Sequence, residues 1–264
     1  MKTPSLKNRI KSGLVSLVLT LAVVLGFNSL AQAQAVKNVV LVHGAFADGS
    51  GYKALYNQLT AKGYNVTVVQ NPLSSLEDDV KAVNVALDKQ DGPAVLVGHS
   101  WGGSVITEAG NHPKVAALVY IAALQPDKGE TTVQWLQTAP PAPENGVLLP
   151  DDKGIVYYDK AKFHAGFCAD ISKEEADFMY ASQGAFYAKG FITPLTNAAW
   201  RNKPSYGIVA TEDKSINPDI ERAMYKRSNT AITEIKGSHV VFMSQPKLVA
   251  GVIIKAAENA SAKK

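Results

Sequence analysis

The sequence predicts an α/β fold, a doubly wound, mostly parallel sheet of about six strands with a small inserted cap. Three observations lead there. Six short, almost continuously apolar runs recur along the 264 residues, and runs of that kind fit strands buried on both faces, as in a parallel sheet covered by helices. Longer segments with helical spacing lie between them, and strand-helix alternation implies right-handed crossovers. One interval, 125–203, breaks the rhythm with proline clusters and scattered aromatics.

Residues 1–33 precede this pattern. Lys2, Lys7, Arg9 and Lys11 are followed by the 15-residue run GLVSLVLTLAVVLGF and then by the small-residue stretch AQAQA. The run is shorter than the roughly 20 residues a membrane-spanning helix needs. The pattern predicts a secretory signal peptide cleaved near Ala33, and therefore a periplasmic or secreted mature protein with no stable membrane anchor. That segment holds four of the 27 basic residues and none of the 23 acidic ones, so the remainder balances 23 against 23. The formal charge of +4 belongs to the leader and gives no reason to expect nucleic acid as a partner. Residues 34–264 suit a single α/β domain. A lone cysteine, Cys168, allows no internal disulfide and is expected to be a buried small apolar group.

In chain order the expected strands are VKNVVLVHG (36–44), YNVTVVQ (64–70), PAVLVGHS (93–100), VAALVYIAA (115–123), SYGIVAT (205–211) and TAITEIKG (230–237). YKALYNQLTAKG (52–63) has helical spacing and a closing Gly63. SLEDDVKAVNVALDK (75–89) opens on Ser75 with acids in its first turn, as a helix N-terminus should. The segments from Trp101, Pro218 and Pro246 also read as helices, and the alanine-rich tail after Lys255 is expected to fray. A structureless 125–203 would be improbable in a compact domain, so this interval is expected to be a cap over one edge of the sheet, with a helix at 172–183.

Ligands of open α/β sheets bind at the carboxyl ends of the strands, so chemistry should gather just past those ends. In Gly98-His99-Ser100-Trp101-Gly102 a serine stands between an apolar strand and a helical pattern, the context of a nucleophile elbow. A serine hydroxyl needs a base and a group to orient that base. Of the five histidines, His239 in IKGSHVVFMSQP lies just past the last strand, where the chain order serine, acid, histidine places the base. His43 and His99 are expected to hold the loops they sit in. His112 and His164 have no motif around them. Asp213, directly after the strand at 205–211, is the leading acid, with Asp127, after the strand at 115–123, as the second candidate. A tetrahedral intermediate also needs preorganised N–H donors. The Trp101 backbone supplies one, and the loop HGAFADGSGY should supply the other, from Ala45 or alternatively Phe46.

With LVHGAF, GHSWGG, VATEDKSINP and GSHVVFMSQP in this order, the chain resembles the α/β-hydrolase superfamily, and within it the branch of plant methyl-ester esterases and hydroxynitrile lyases. The resemblance implies a Ser100, His239, Asp213 triad, an oxyanion hole from Ala45 and Trp101, a cap shaping an apolar pocket, and a sheet of six strands instead of eight. Two positions depart from the lyases: Val240 stands where they carry a lysine and Gly44 where they carry a threonine. The expected function is that of a serine carboxylesterase acting on small to medium apolar esters through an acyl-enzyme, without metal or organic cofactor. C–C bond cleavage, cofactor-free perhydrolysis and non-catalytic binding are the alternatives. Phe163, Phe167, Phe178, Tyr180, Phe186, Tyr187, Phe191 and Trp200 could line the pocket or form the cap's own core.

Overall fold

The computed structural model describes residues 35–262, and the expected signal peptide lies outside them. The strands are β1 (Asn38–Val42), β2 (Asn65–Val69), β3 (Ala94–His99), β4 (Val115–Ile121), β5 (Ile155–Val156), β6 (Phe186–Tyr187), β7 (Ser205–Ala210) and β8 (Ala231–Ile235). The helices are α1 (Lys53–Thr60), α2 (Leu76–Asp88), α3 (Gly102–Ala109), α4 (Thr132–Leu136), α5 (Lys160–Phe167), α6 (Lys173–Ser182), α7 (Lys189–Ile192), α8 (Pro218–Arg227), α9 (Val241–Ser244) and α10 (Pro246–Ala262). Among the described residues the principal sheet has six strands in the order β2-β1-β3-β4-β7-β8, all parallel. Each expected strand is present. The chain turns outward in opposite directions from the adjacent pair β1 and β3, the point where doubly wound sheets bind ligands. Val42 pairs with Gly98 in that register, so the loops leaving β1 and β3 start side by side.

Burial follows position in the sheet. β1 and β3 are buried throughout, whereas β2 and β8 are largely exposed or half-exposed. The expectation of strands buried on both faces fails for these two because they are the sheet edges, and their interspersed polar residues (Asn65, Thr67, Thr233, Glu234) suit that place. Two of the long helices start where side chains cap them. Ser75 accepts from the Asp78 N–H at the head of α2, and Asn217 accepts from the Asp219 N–H at the head of α8, with Pro218 at its first position.

The tail does not fray as expected. α10 continues to Ala262, with Ala256, Ala257 and Ala260 buried, and Ser261 Oγ accepts the Val36 N–H at 2.9 Å. Alanine side chains let this last stretch lie close to the body of the domain, so low complexity marks close packing there.

Residues 125–203 carry short helices and the antiparallel pair β5–β6, in which Val156 faces Phe186. The expected helix at 172–183 is α6, opened by a reciprocal capping pair between Ser172 and Glu175. The interval is fastened at its ends: the Gly129 N–H donates to Leu195 O, the Leu195 N–H donates to Glu130 O, and Trp200 Nε1 donates to Pro126 O at 3.0 Å.

Candidate active site

Ser100 occupies the two-residue turn between β3 and α3 with φ +54°, a left-handed conformation that costs a residue with a Cβ. The turn is tight enough to dictate its neighbours. A Cβ on Gly98 would stand 2.4 Å from Gly102 O, and one on Gly102 would stand 2.6 Å from Val42 O. Ser100 N–H donates to Ile121 O at 3.2 Å, while its own carbonyl accepts from Gly103 and Leu124. These bonds tie the strained residue to the end of β4 and the start of α3. Among the described residues the hydroxyl of Ser100 makes no hydrogen bond, and it faces a cavity.

His239 follows β8 and lines the same cavity. Its Nδ1 donates to Asp213 Oδ2 at 2.5 Å, and both side chains are shut off from solvent. The other Asp213 oxygen, Oδ1, accepts the backbone N–H groups of Ser215 (2.7 Å) and Ile216 (2.9 Å). That short turn after β7 therefore aims the carboxylate at the imidazole. With Nδ1 donating, His239 Nε2 is the bare nitrogen, and no group among the described residues hydrogen-bonds it. In enzymes awaiting substrate the serine-to-imidazole bond is often long.

Two further contacts hold the histidine loop. His99 Nε2 donates to His239 O at 2.9 Å, and the two rings lie 4.6 Å apart. Burial, with the neighbouring His239 next, drives the His99 pKa well below the ordinary imidazole value, so His99 stays neutral. From the cap, Asp170 accepts the Ser238 N–H and the Ser244 hydroxyl, each at 2.7 Å, on either side of the loop.

The loop after β1 brings Ala45 and Phe46 to the cavity beside Ser100. Phe46 has φ +59°. Among the described residues the backbone N–H groups of Ala45, Phe46 and Trp101 engage no acceptor, which leaves three donors open at the cavity end of the sheet. Gly44 is required for this approach, because a Cβ there would stand 2.7 Å from Ser100 Cβ and 3.0 Å from His99 O. His43 ties the loop down: its Nδ1 donates to Gly44 O and its Nε2 accepts the Asn71 N–H, both at 2.9 Å.

The cavity encloses about 490 Å³. Its walls are mainly aliphatic, from Leu124, Leu136, Ala139, Pro140, Ile216 and Ile220, closed by Phe46, Phe167 and Phe191. Of the cap aromatics, Phe167 and Phe191 reach it. Phe163 and Phe186 are cap core, Tyr180 packs edge-on against Phe163, Trp200 bonds Pro126, and Phe178 and Tyr187 are exposed. Most of the lining comes instead from the segments 136–147, which hold the proline cluster, and 215–220, which lead into α8. Sequence patterns gave no signal for these, because a wall is defined by what lies opposite it.

Asp127 is remote from this arrangement. It forms a two-pronged ion pair with Arg201, with Arg201 Nε donating at 2.8 Å, and those hydrogen bonds hold its carboxyl below the usual range. His112 pairs with Asp88 and His164 with Ile171 O. Glu212 faces Lys236 on the surface. Cys168 is buried, and its thiol is pushed up to about 12, chiefly by burial. Two acids near the site carried no sequence signal that set them apart from ordinary helix residues. Asp79 in α2 is fully buried and accepts the Trp101 indole N–H at 2.7 Å. Glu221 in α8 is also buried with neither oxygen partnered among the described residues. Burial, and next the neighbouring Asp213, push its pKa well above the ordinary value.

A six-stranded parallel sheet with a serine on a strained turn, facing a histidine-carboxylate pair beneath a cap, defines the α/β hydrolase architecture. The chain belongs to the α/β hydrolase family, whose family model matches residues 39–252. It is similar to the α/β hydrolase nvfD of Aspergillus novofumigatus, with 27% identity over 246 residues, covering 84% of this chain and 97% of that protein. It is similar also to a pyrethroid hydrolase of Sphingobium wenxiniae, with 28% identity over 254 residues, 83% of this chain and 86% of that protein. The plant branch is represented by methylesterase 7 of Arabidopsis thaliana, with 25% identity over 262 residues, 84% of this chain and 96% of that protein. Among solved structures, the pyrethroid hydrolase of Sphingobium faniae superposes with a TM-score of 0.73 at 24% identity, over 84% of this chain and 98% of that one.

Proposed function

We propose that this protein is a periplasmic or secreted serine carboxylesterase that hydrolyses small to medium apolar esters. The observation that carries the reading is the strained Ser100 opening into an apolar cavity with the buried His239–Asp213 pair at its side. In the proposed reaction His239 Nε2 takes the Ser100 proton as Oγ attacks the ester carbonyl. Asp213 fixes the imidazole tautomer and stabilises the imidazolium. The developing oxyanion is received by the Trp101 N–H and by a second N–H from the β1 loop, that of Ala45 or its neighbour Phe46. Collapse transfers the proton from His239 to the leaving alcohol, and water, activated by the same histidine, then frees the acid from Ser100. Every step uses protein groups and water.

An apolar cavity of about 490 Å³ is of the size that small-molecule sites commonly have, and it suits an ester with one bulky hydrocarbon side. Two relatives, a pyrethroid hydrolase and a carbendazim hydrolyzing esterase, support a small-molecule substrate for hydrolysis. Gly44 also supports hydrolysis over hydroxynitrile cleavage, since a threonine side chain at that position would overlap Ser100. Export rests on the composition of residues 1–33.

The test of the reaction is labelling by a fluorophosphonate probe together with hydrolysis of short p-nitrophenyl esters. Both are expected in the intact protein and lost in Ser100→Ala; full activity in Ser100→Ala rules out the acyl-enzyme. Mass spectrometry of the protein recovered from periplasm or medium should give Gln34 as its first residue, and a retained leader there would contradict export by cleavage.

A further inference from the structure

Asp79 has no exposed surface, and its two oxygens hold two different parts of the structure. Oδ2 accepts the Trp101 indole N–H and Oδ1 accepts the Leu73 backbone N–H, each at 2.7 Å. Leu73 stands at φ +59°, an unfavourable conformation for a branched side chain. Burial pushes the Asp79 carboxyl up to about 6, against the pull of the two hydrogen bonds, so keeping the ion in the core works against folding. A buried charge and a strained backbone residue thus meet at one contact. Such concentrated costs persist where the contact serves the site rather than the fold alone.

The groups held there belong to the elbow and the cap. Trp101 directly follows Ser100. Its ring packs edge-on against Phe186 and Phe191, with centroids 5.5 and 5.8 Å away, and Gly190 is close enough that a Cβ would stand 3.1 Å from the ring. Phe191 lines the cavity. The Leu73 carbonyl accepts the Tyr187 N–H at 3.0 Å, which ties the same point to β6. Asp79 is thus the acceptor that anchors the Trp101 indole, on the residue whose backbone N–H directly follows Ser100.

We infer that Asp79 is a positioning residue for acyl transfer, fixing Trp101 and thereby the backbone N–H that would receive the oxyanion. This rests on the serine esterase reading above. Its role differs from that of Glu77 and Asp78, which share the first turn of α2 but lie at the surface.

The experiment measures kcat per fluorophosphonate-reactive serine, so that unfolded protein is not counted. Asp79→Asn keeps the shape but has one acceptor oxygen for two N–H donors. It should lower kcat per reactive serine by about 10-fold or more and leave KM within about twofold, the pattern of lost transition-state stabilisation. Trp101→Phe, which keeps a ring and removes the indole N–H, should fall by a similar factor, and the double variant should fall no further than the larger single effect. A purely structural role would lower the melting temperature or the number of reactive serines with unchanged turnover at each, and that result overturns the proposal. If Asp79→Asn does not fold, wild-type turnover in Trp101→Phe overturns it equally. The contact has its own readout, independent of catalysis. The Trp101 indole proton resonance should titrate in the intact protein with a midpoint near the Asp79 value of about 6 and stay fixed in Asp79→Asn. An indole proton resonance at the same position in the intact protein and in Asp79→Asn refutes the contact. A Ser100 that takes no probe in a protein with a normal titration refutes the esterase reading instead.

Discussion

Replacing Asp213 by asparagine tests the orienting role most sharply, because the structure dictates how the new amide must sit. Asp213 Oδ1 receives two backbone N–H groups, from Ser215 at 2.7 Å and Ile216 at 2.9 Å. An asparagine there has to present its oxygen to that pair, since the reverse orientation would point an NH₂ at two donors. The NH₂ is thereby turned toward His239 Nδ1, the position now 2.5 Å from Asp213 Oδ2. His239 must then accept at Nδ1 and carry its proton on Nε2. In that tautomer it cannot take the proton of Ser100, and the imidazolium also loses its carboxylate. The same change in a serine-histidine-aspartate triad costs about 10⁴-fold in kcat, equivalent to roughly 5.5 kcal/mol of transition-state stabilisation. The assay is kcat for a short p-nitrophenyl ester near neutral pH, with Asp127→Asn measured beside it. Asp127→Asn should stay within about twofold, because that side chain is bound to Arg201. An Asp213→Asn protein that melts like the parent and retains kcat within about 10-fold would refute the assignment.

The remaining predictions use other parts of the site. Gly44→Ala places a Cβ 2.7 Å from Ser100 Cβ and 3.0 Å from a backbone oxygen. It should cost about 1–3 kcal/mol of stability by denaturant melting, and a displacement of the serine by about 1 Å should reduce kcat by about 100-fold. Ile220→Trp narrows a cavity of about 490 Å³, so KM should rise for bulky apolar esters and change little for acetyl esters; parallel rises would place the substrate elsewhere. Asp79 makes stability pH-dependent. Its folded pKa, about 6, lies above the ordinary value of 3.8, so its contribution is complete below the ordinary value and is lost as the pH rises through 6. Two units correspond to at most about 3 kcal/mol. The stability of the intact protein should therefore fall relative to Asp79→Asn between acid and neutral pH, and a constant difference across that range would contradict the buried ion. Arg201→Ala breaks an ion pair whose arginine is exposed, and should change stability by no more than about 1 kcal/mol and leave kcat unchanged.

Much of this architecture is legible without coordinates because its signals are local. The central strands are runs of apolar residues, and α2 and α8 open on residues that cap or start them, Ser75 and Pro218 among them. The elbow is legible for the same reason, as glycines within two residues of Ser100 relieve clashes that the turn itself creates. The departures are instructive. The edge strands β2 and β8 have the composition of strands, but composition does not say which strand will lie outermost. The alanine-rich tail has the composition of a fraying end, yet small side chains are what allow α10 to pack closely.

The sequence by itself determined the order of strands and helices and a short set of candidate residues at the strand ends, since backbone sterics and apolar periodicity act between near neighbours. Only the tertiary structure decided which candidates meet. Asp213 and Asp127 both follow a strand, but the turn after β7 aims Asp213 at His239 while Asp127 closes on Arg201. Asp79 looks like one more acid in a helix's first turn until the fold lays it under Trp101. The cavity wall likewise joins segments at 45–46, 136–147 and 215–220. Partners of this kind are far apart in the chain, and their distances are set by packing of the whole domain rather than by any local preference.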